Sequence, residues 1–239
     1  MCKKRKAVNL SKGRRVRNQK ISRASRLERS NDSACEPFLL VDQGPHTFVD
    51  RRGGMIKKGI EEEIMLRDRL AEAIQLREMG RAKQDQAILE EARTLLLELI
   101  AAYPDDAEIT YQTAIVHDNL GLERASISFY RQTLAQGLSG LDTATKLMKR
   151  ERAFLGLGST YRGLGEYQKA EETLRRGLSE FPQSRPLQVF LSLALYNTRQ
   201  YKEAMELALT NLLETTSDEA LQYYKRGLLF YAAHLDETW

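Results

Sequence analysis

The residue types most often used in catalysis and metal binding are sparse in this sequence and far apart. His46, His117 and His234 fall in different predicted elements, so the spacing gives no reason for two of them to share a metal ion or a proton. Cys2 and Cys35 both lie before residue 55, which excludes a disulfide framework and a zinc-type cluster from the rest of the chain. No serine comes with a usable histidine and acid. We expect no metal site, and we interpret His117 as a packed helix residue.

One glycine-rich stretch, GLGS at residues 156–159, superficially resembles a phosphate-binding loop. Such a loop joins a strand to a helix and continues into Gly-Lys-Ser/Thr, whereas here helical periodicity runs through the stretch and that continuation is missing. The acidic runs at residues 61–63 and 90–91 are interpreted as solvated helix faces. The sequence therefore predicts a protein that is not an enzyme and that has no cofactor.

Basic residues are concentrated at the N-terminus. Residues 1–29 hold twelve Lys or Arg and one acid, whereas residues 55–239 carry a net charge of −5. Because residues 1–36 also lack apolar periodicity, we expect them to be disordered, with loose strand or coil at residues 37–50. Clustered cations suit electrostatic contact with nucleic acid, but the tail lacks the aromatic residues that stack on bases, so specific recognition of nucleic acid is not expected.

The composition changes near residue 54. Arg51-Arg52 can be encoded by the purine-rich hexamer AGGAGG, a bacterial ribosome-binding sequence, shortly before the codon of Met55. We hypothesise that the tail is not part of the natural protein; an endogenous chain whose intact mass includes Met1 would refute this. No apolar run approaches the roughly 20 residues that span a bilayer, and the N-terminus lacks the apolar core of a secretory signal. We expect a cytoplasmic protein without membrane contact, divided into a tail (1–54) and a helical domain (55–239).

Residues 151–184 have the clearest periodicity in that domain. Four residues recur at i, i+3, i+4 and i+7 on one helix face, namely Phe154, Leu157, Gly158 and Tyr161. Gly163 and Gly165 interrupt the pattern, a second apolar run follows, and Pro182 ends it. The pattern predicts two short helices joined by a turn into an antiparallel hairpin.

This hairpin resembles the tetratricopeptide (TPR) repeat, a 34-residue helix–turn–helix unit. The residues that carry the resemblance are Phe154, Leu157, Gly158, Tyr161, Ala170 and Pro182. We expect Gly158 and Ala170 to lie where the two helices cross, because larger side chains there would push the backbones apart. One hairpin cannot bury its own apolar face, so further repeats are expected on either side. The periodicity places repeats at about 60–104, 107–140, 151–184 and 185–218, followed by a terminal helix over 219–235.

The repeats depart from a regular period in two places. The interval from Gly80 to Ala92 is longer than the interval from Gly165 to Ala170, so we expect an extended second helix in the first repeat. Residues 141–150 are an insertion without Pro or Gly, which we expect to lengthen the first helix of the following repeat. Pro186 suits the first turn of its helix, and Asp218 is expected to cap the terminal helix.

The arrangement of residues 60–239, including the C-terminal LLFYAAHLDETW, looks similar to the TPR group 5 family of bacterial cytoplasmic proteins. The repeats predict an all-α right-handed superhelix, and the resemblance implies a homodimer without known catalysis. On the terminal helix, apolar and aromatic residues occur on more than one face, which makes Tyr224, Leu228 and Tyr231 candidate dimer contacts. Deep packing of these residues onto the preceding hairpin is the alternative.

In TPR arrays the first helix of each hairpin lines a concave groove, and the resemblance carries the groove positions onto this chain. These positions are Glu108, Tyr111, Ile115, Asp118, Asn119, Arg152, Leu155, Ser159, Arg162, Gly163, Pro186, Val189, Leu193, Tyr196 and Asn197. Tyr and Arg anchor many interfaces. The partner-binding residues we select are Tyr111, Asp118, Asn119, Arg152, Arg162, Tyr196 and Asn197. The alternative is that several of them only fill the inside of the superhelix.

Chaperone-binding TPR proteins hold a C-terminal carboxylate with Lys and Asn at two groove positions, the fifth and ninth of a repeat. The last three repeats carry neither Lys nor Asn there: the fifth position is Tyr111, Leu155 and Val189, and the ninth is Ile115, Ser159 and Leu193. No such clamp is expected, and an extended or helical peptide held by apolar, Tyr and Arg contacts is the better prediction.

We therefore predict a protein-interaction scaffold that binds a protein or peptide in the groove. A second hypothesis is a regulator whose basic tail contacts nucleic acid while the repeats sense a partner. Binding that weakens steeply with salt, and that is lost on deletion of residues 1–54, would favour it. A third hypothesis is a structural homodimer whose groove is filled by its own chain.

Overall fold

From residue 51 onward, the computed structural model shows a chain of packed α-helices. It describes residues 51–137 and 142–238, with side chains from residue 60 onward within those ranges. The helices are α1 Arg51–Lys83, α2 Gln86–Ala102, α3 Ala107–Asn119, α4 Glu123–Gln136, α5 Thr143–Gly163, α6 Tyr167–Glu180, α7 Arg185–Asn197, α8 Tyr201–Thr215 and α9 Glu219–Ala233. No strand occurs within those ranges. The predictions made for residues 1–50 lie outside the described residues.

Each helix packs against the next one along the chain, so that α1–α2, α3–α4, α5–α6 and α7–α8 form hairpins and α9 lies against α8. The first helices of successive hairpins also contact one another, since α1 touches α3, α3 touches α5 and α5 touches α7. Among the helices described, the second helices of successive hairpins make no such contacts. The first helices therefore form the inner, concave row, and the predicted all-α repeat solenoid is confirmed.

Side-chain caps begin five of the helices. Asp85, Asp106, Asp142 and Ser184 accept hydrogen bonds from backbone N–H groups in the first turns of α2, α3, α5 and α7. Asp218 does the same for α9, accepting from the N–H of Leu221 at 2.9 Å, which confirms its predicted role as a cap. Pro186 lies in the first turn of α7, also as predicted.

The turn inside each hairpin contains one residue with a left-handed backbone. Gly121, Gly165 and Arg199 take this conformation in the last three hairpins, with φ of 70°, 77° and 66°. In the first hairpin Gln84 takes it, with φ of 55°, and the cap at Asp85 then starts α2 early. As a result α2 has 17 residues whereas α4 and α6 have 14, which confirms the extended second helix.

The other predicted departure from the repeat also appears. The helix α5 has 21 residues, whereas α3 and α7 have 13, because residues 143–150 extend it at its N-terminal end. Helix α1 is also longer than expected at its N-terminal end, because it begins at Arg51 rather than near residue 59. Gly80 lies inside α1, near its end.

Small residues bring the two helices of each hairpin close together. Gly158 and Ala170 are both buried, and a Cβ added to Gly158 would lie 2.6 Å from Cγ of Leu174. Equivalent buried pairs are Gly80 with Ala92, Ala114 with Ser126, and Ser192 with Ala204. The steric role predicted for Gly158 and Ala170 is therefore confirmed.

Helix α3 contributes to two hydrophobic clusters. Ile109 and Val116 pack with residues of α1 and α2, whereas Tyr111 and Ala114 pack in the cluster that continues through α8. All residues from Ala107 to Ala114 are buried as a consequence. Helix α3 thus packs against the first hairpin on one side and against the rest of the solenoid on the other.

Candidate binding groove

The concave row contains a cavity of about 800 Å³ between α1, α3 and α5. We call it the N-terminal pocket and define it by its charged lining residues: Arg77, Glu78, Arg81, Glu108, Lys149 and Arg152. Tyr111, Gln112, Ile115 and Leu155 are among the uncharged residues that line it. A volume of this size is within the usual range for ligand pockets.

Five of the predicted groove positions lie together in this pocket, on α3 and α5. They are Glu108, Tyr111, Ile115, Arg152 and Leu155. Of these, Tyr111 and Arg152 are among the partner-binding residues selected from the sequence. The structure thus brings residues that are 41 positions apart in the chain to the same cavity.

The contribution of α1 to the pocket is the part that sequence analysis missed. Arg77 and Arg81 lie 34 residues before Tyr111 and Ile115, so they occupy the fifth and ninth positions of a first repeat that is counted from residue 73. The 34-residue spacing indicates these two positions. Sequence analysis missed them because it treated Gly80 as a turn glycine like Gly165, whereas Gly80 lies within α1. The fifth and ninth positions of the last three repeats carry neither Lys nor Asn, and in the first repeat they carry Arg77 and Arg81.

Two buried charged residues shape the pocket. Glu108 is 8% exposed; it accepts a hydrogen bond from Nε2 of Gln112 at 2.8 Å and forms an ion pair with Lys149. Arg77 is 7% exposed, and its Nη2 lies 3.3 Å from a carboxylate oxygen of Glu78. Burial lowers the pKa of Arg77 because a buried cation loses its hydration.

Hydrogen bonding in the pocket is incomplete. Nε of Arg77 and Oε1 of Gln112 are both buried and have no hydrogen-bond partner. The Lys149 ammonium group lies 5.9 Å from the centre of the Tyr111 ring, within cation–π range. Burial raises the pKa of Tyr111, and the nearby charge of Arg152 opposes that rise. Two buried polar atoms of the residues that line the pocket therefore lack hydrogen bonds.

Asp118 and Asn119, which were predicted to face a partner, lie at the end of α3. One carboxylate oxygen of Asp118 accepts from the Tyr130 hydroxyl at 3.3 Å, and the other accepts from the Thr160 hydroxyl at 3.1 Å. Burial raises the pKa of Asp118, and burial together with the nearby Asp118 charge raises that of Tyr130. Asp118 thus ties α3 to α4 and α5. Asn119 is half-buried, and its Oδ1 is buried without a hydrogen-bond partner.

The remaining predicted residues lie between α5 and α7. Nε of Arg162 donates to Oδ1 of Asn197 at 3.0 Å, so two of the selected residues bind each other. Tyr196 is 63% exposed and lies edge-on to Tyr201, with ring centres 5.3 Å apart. Val189 and Leu193 are also exposed on α7. This end of the row is apolar, whereas the N-terminal pocket is charged.

Comparison with known families agrees with this architecture. A sequence profile described as "Tetratrico peptide repeat" matches residues 107–235, which is more than half of the chain. The chain belongs to this tetratricopeptide repeat family. No curated protein matches the chain. The match begins at the first residue of α3 and extends beyond the end of α9, so the TPR hairpins from α3 onward and the terminal helix are typical of the family.

His117 and the GLGS stretch have packing roles in this TPR protein. His117 is buried, and its Nε2 accepts a hydrogen bond from Nε of Arg93 at 3.2 Å. The ring proton is therefore on Nδ1, which donates to the Thr113 carbonyl oxygen at 2.7 Å. Burial lowers the pKa of His117. The GLGS stretch lies within α5, where a Cβ on Gly156 would lie 2.4 Å from Cζ of Tyr130. Within the described ranges, no three His, Cys, Asp or Glu side chains group as metal ligands, and no helix could cross a membrane.

The terminal helix α9 closes the TPR array and exposes aromatic side chains. Of the predicted dimer contacts, Tyr224 and Tyr231 are exposed, whereas Leu228 is half-buried on the side of α9 that packs on α8. Tyr223 is 81% exposed beside Tyr224, and the two rings meet edge-on at 4.9 Å. Only Ala232 is fully buried in α9. Sequence analysis did not select Tyr223, although it is next to Tyr224 in the same run.

Proposed function

We propose that this protein is an interaction scaffold that binds a peptide or protein segment along its concave row of first helices. Membership of the TPR family supports a role in protein–protein interaction. The observation that carries the proposal is the exposed apolar stripe on α7, formed by Val189, Leu193 and Tyr196 at i, i+4 and i+7. Large apolar side chains that cluster on a surface are typical of contact sites.

The side chains beside this stripe are already held in place. The bond from Arg162 to Asn197 links α5 to α7, and Thr160 links α5 to Asp118 of α3. A partner would therefore meet first helices whose spacing is fixed before binding. Little side-chain entropy would then be lost on association, which favours binding by a preformed groove.

Site-specific photo-cross-linking tests the groove. A photoreactive residue replaces Leu193 in the full chain, and in a matched control it replaces Glu172, which is exposed on the second helix α6. We expect a discrete cross-linked partner from position 193 that disappears when Val189→Ser and Tyr196→Ser are added. Equal labelling from both positions would refute the groove. A product that contains two copies of this chain would favour self-occupation instead.

We further propose that the aromatic face of α9 joins two copies into a homodimer. The support is the exposure of Tyr223 and Tyr224, which together leave a large aromatic surface on a helix that, among the described helices, packs only against α8. Sedimentation velocity of the full chain tests this. We expect a dimer that the Tyr223→Ser, Tyr224→Ser variant turns into a monomer, while Tyr201→Ser, an exposed tyrosine on α8, leaves it unchanged. A monomeric wild-type chain would refute the proposal.

A further inference from the structure

We propose that the aromatic face of α9 in one copy packs against an open face of α8 in a second copy. The inference rests on the proposed homodimer and names the surface that receives α9. Three exposed residues of α8, at i, i+3 and i+7, form this open face: Met205, Ala208 and Leu212. Tyr201, one turn earlier, lies against Tyr196 of α7 and does not belong to the open face.

The preceding repeat shows what usually covers these positions. Leu174 and Leu178 of α6 lie 34 residues before Ala208 and Leu212. Leu174 is fully buried and Leu178 is partly buried, in the hydrophobic cluster that also contains Leu187 of α7. In α6 the first helix of the next hairpin therefore covers these positions, whereas in α8 none of the described helices covers them.

Helix α9 does not take the place of a next first helix. Among the described helices it packs against α8 but not against α7, although α3, α5 and α7 each contact the first helix before them. Nε2 of Gln222 in α9 donates to the carbonyl oxygen of Leu213 in α8 at 3.4 Å. Leu213 is fully buried, whereas Ser179, its counterpart in α6, is exposed. Helix α9 therefore covers a side of α8 that is bare in α6, and the open face stays uncovered.

The connection before α9 explains why this helix leaves the row. Helices α2 and α6 end at the aromatic caps Tyr103 and Phe181, which have nearly the same backbone conformation, with φ of −133° and −129° and ψ of 66°. A proline follows each cap, as Pro182 follows Phe181, and it disfavours helical backbone in the residue before it. The counterparts after α8 are Thr215, which is still helical, and Thr216, whose backbone is extended with ψ of 141°. Without the proline, α8 continues for one more residue and the chain leaves it in another direction.

The aromatic face of α9 matches the open face in spacing and size. Tyr224, Gly227 and Tyr231 are exposed at i, i+3 and i+7, so both faces read large, small, large. Two helices approach closely where small residues face each other, and larger side chains on either side can then interdigitate. A Cβ added to Gly227 would meet no atom within 4 Å, so there is space at this position within one copy. We therefore place Gly227 of one copy against Ala208 of the other.

The size of a stable interface also requires a surface beyond α9. Such an interface buries about 800 Å² on each partner. The aromatic side chains of α9 that are at least half exposed are Tyr223, Tyr224, Phe230 and Tyr231. A fully exposed aromatic side chain presents about 150–250 Å², so their exposed parts amount to roughly 400–600 Å². In a two-fold dimer each copy contributes both its α9 and its open face, and the open face supplies apolar area that α9 lacks.

Sedimentation velocity of the full chain tests the open face. Met205→Ser combined with Leu212→Ser should turn the dimer into a monomer, because both side chains would lose their contact with α9 of the second copy. Both residues are exposed within one copy, so the fold should persist, and circular dichroism checks this. The matched control, Leu147→Ser combined with Met148→Ser, changes two exposed apolar residues of α5 and should leave the dimer intact.

The small residue on α9 provides a second variant. Gly227→Leu should also yield a monomer, because a leucine has space within one copy but not against Ala208 of the other. Gly227→Ala keeps a small residue where the helices cross and should leave the dimer intact.

Disulfide cross-linking identifies which helices meet. Two proteins are prepared with Cys2→Ser and Cys35→Ser, one carrying Ala208→Cys and the other Gly227→Cys. We expect a cross-linked dimer only when the two proteins are mixed, because the proposed crossing brings these positions within reach of a disulfide.

Other results would overturn the inference. A cross-link formed by Gly227→Cys alone would mean that α9 meets α9. A dimer that survives the open-face variant but not Tyr223→Ser, Tyr224→Ser would mean that α9 binds a different surface. In either case the inference fails and the proposed homodimer stands, whereas a monomeric wild-type chain would overturn both.

Discussion

Replacing Gly158 with Ala is expected to destabilise the fold, although Ala is the better helix former. Gly158 lies inside α5, where α6 crosses it. An added Cβ would lie 2.6 Å from Cγ and 2.7 Å from Cδ2 of Leu174. Leu174 is fully buried, so its side chain cannot move into solvent to make room. Either the leucine must leave its preferred rotamer or the two helices must separate.

The expected magnitude is the difference between two effects. Overpacking a filled core costs about 1–3 kcal/mol. The gain in helix propensity from Gly to Ala is about 0.5–1 kcal/mol. The net loss for Gly158→Ala is therefore expected to be about 1 kcal/mol and at most about 2.5 kcal/mol. At Gly227, in the middle of α9, an added Cβ would meet no other side chain within 4 Å. Gly227→Ala should accordingly stabilise the chain by about 0.5–1 kcal/mol.

Urea unfolding followed by circular dichroism measures both variants, provided that the dependence of unfolding free energy on urea stays unchanged. A double-mutant cycle with Leu174→Ala isolates the clash. Leu174→Ala alone removes a buried leucine and should cost about 2–5 kcal/mol. Combined with Gly158→Ala it should cost less than the sum by the overpacking cost of about 1–3 kcal/mol, because the clashing atoms are gone. The reasoning is refuted if Gly158→Ala stabilises the protein as Gly227→Ala does.

Three further predictions concern stability. Arg199→Gly should stabilise the protein by about 0.5–1 kcal/mol in urea unfolding, because the left-handed backbone at this position strains any residue with a Cβ. Burial lowers the pKa of His117, so below about pH 6.5 the unfolded chain binds more protons than the folded chain. The contribution of neutral His117 to the free energy of unfolding should therefore be complete above about pH 6.5 and fall toward pH 5, as measured by unfolding across that range. Lys149→Met should cost about 3–5 kcal/mol in thermal or urea unfolding, because it leaves the buried carboxylate of Glu108 without its cation.

Each of these predictions has a matched control. Gly165→Ala puts a Cβ on a left-handed turn residue and should destabilise by about 1 kcal/mol, the opposite sign to Arg199→Gly. His117→Gln should flatten the pH dependence, and an unchanged slope would contradict the assignment. Arg69→Met breaks an exposed ion pair with Glu98 and should cost at most about 1 kcal/mol. A similar cost for Lys149→Met would mean that burial of the Glu108 pair has no energetic consequence.

Much of this fold could be predicted because its signals are local. The TPR residues of one hairpin, the uninterrupted helical pattern of the insertion before α5 and the cap at Asp218 each depend on residues close together in the sequence. The concave positions of α3 and α5 followed from the same register. The repeat fold, the lengthened α5 and the cap at Asp218 are confirmed, because helix periodicity and capping act over a few residues.

The parts that sequence analysis missed depend on contacts or conformations without a local signal. Gln84 and Arg199 adopt left-handed turns, although their residue types do not favour them. Without a glycine at the first turn, the register of α1 was set wrongly, and Arg77 was overlooked. The bond between Asp118 and Thr160 joins residues 42 positions apart, and no periodicity in either helix indicates it.

Helix α3 is buried on two sides, and this affects which fragment of the chain can fold without the rest. A fragment that begins at Ala107, where the family match begins, would keep every residue of the helix but lose the neighbour that covers one of its sides. Ile109 and Val116, fully buried against α1 and α2, would then face water. We therefore expect the shortest piece that folds alone to be larger than the piece that the family pattern recognises, and to include the first hairpin.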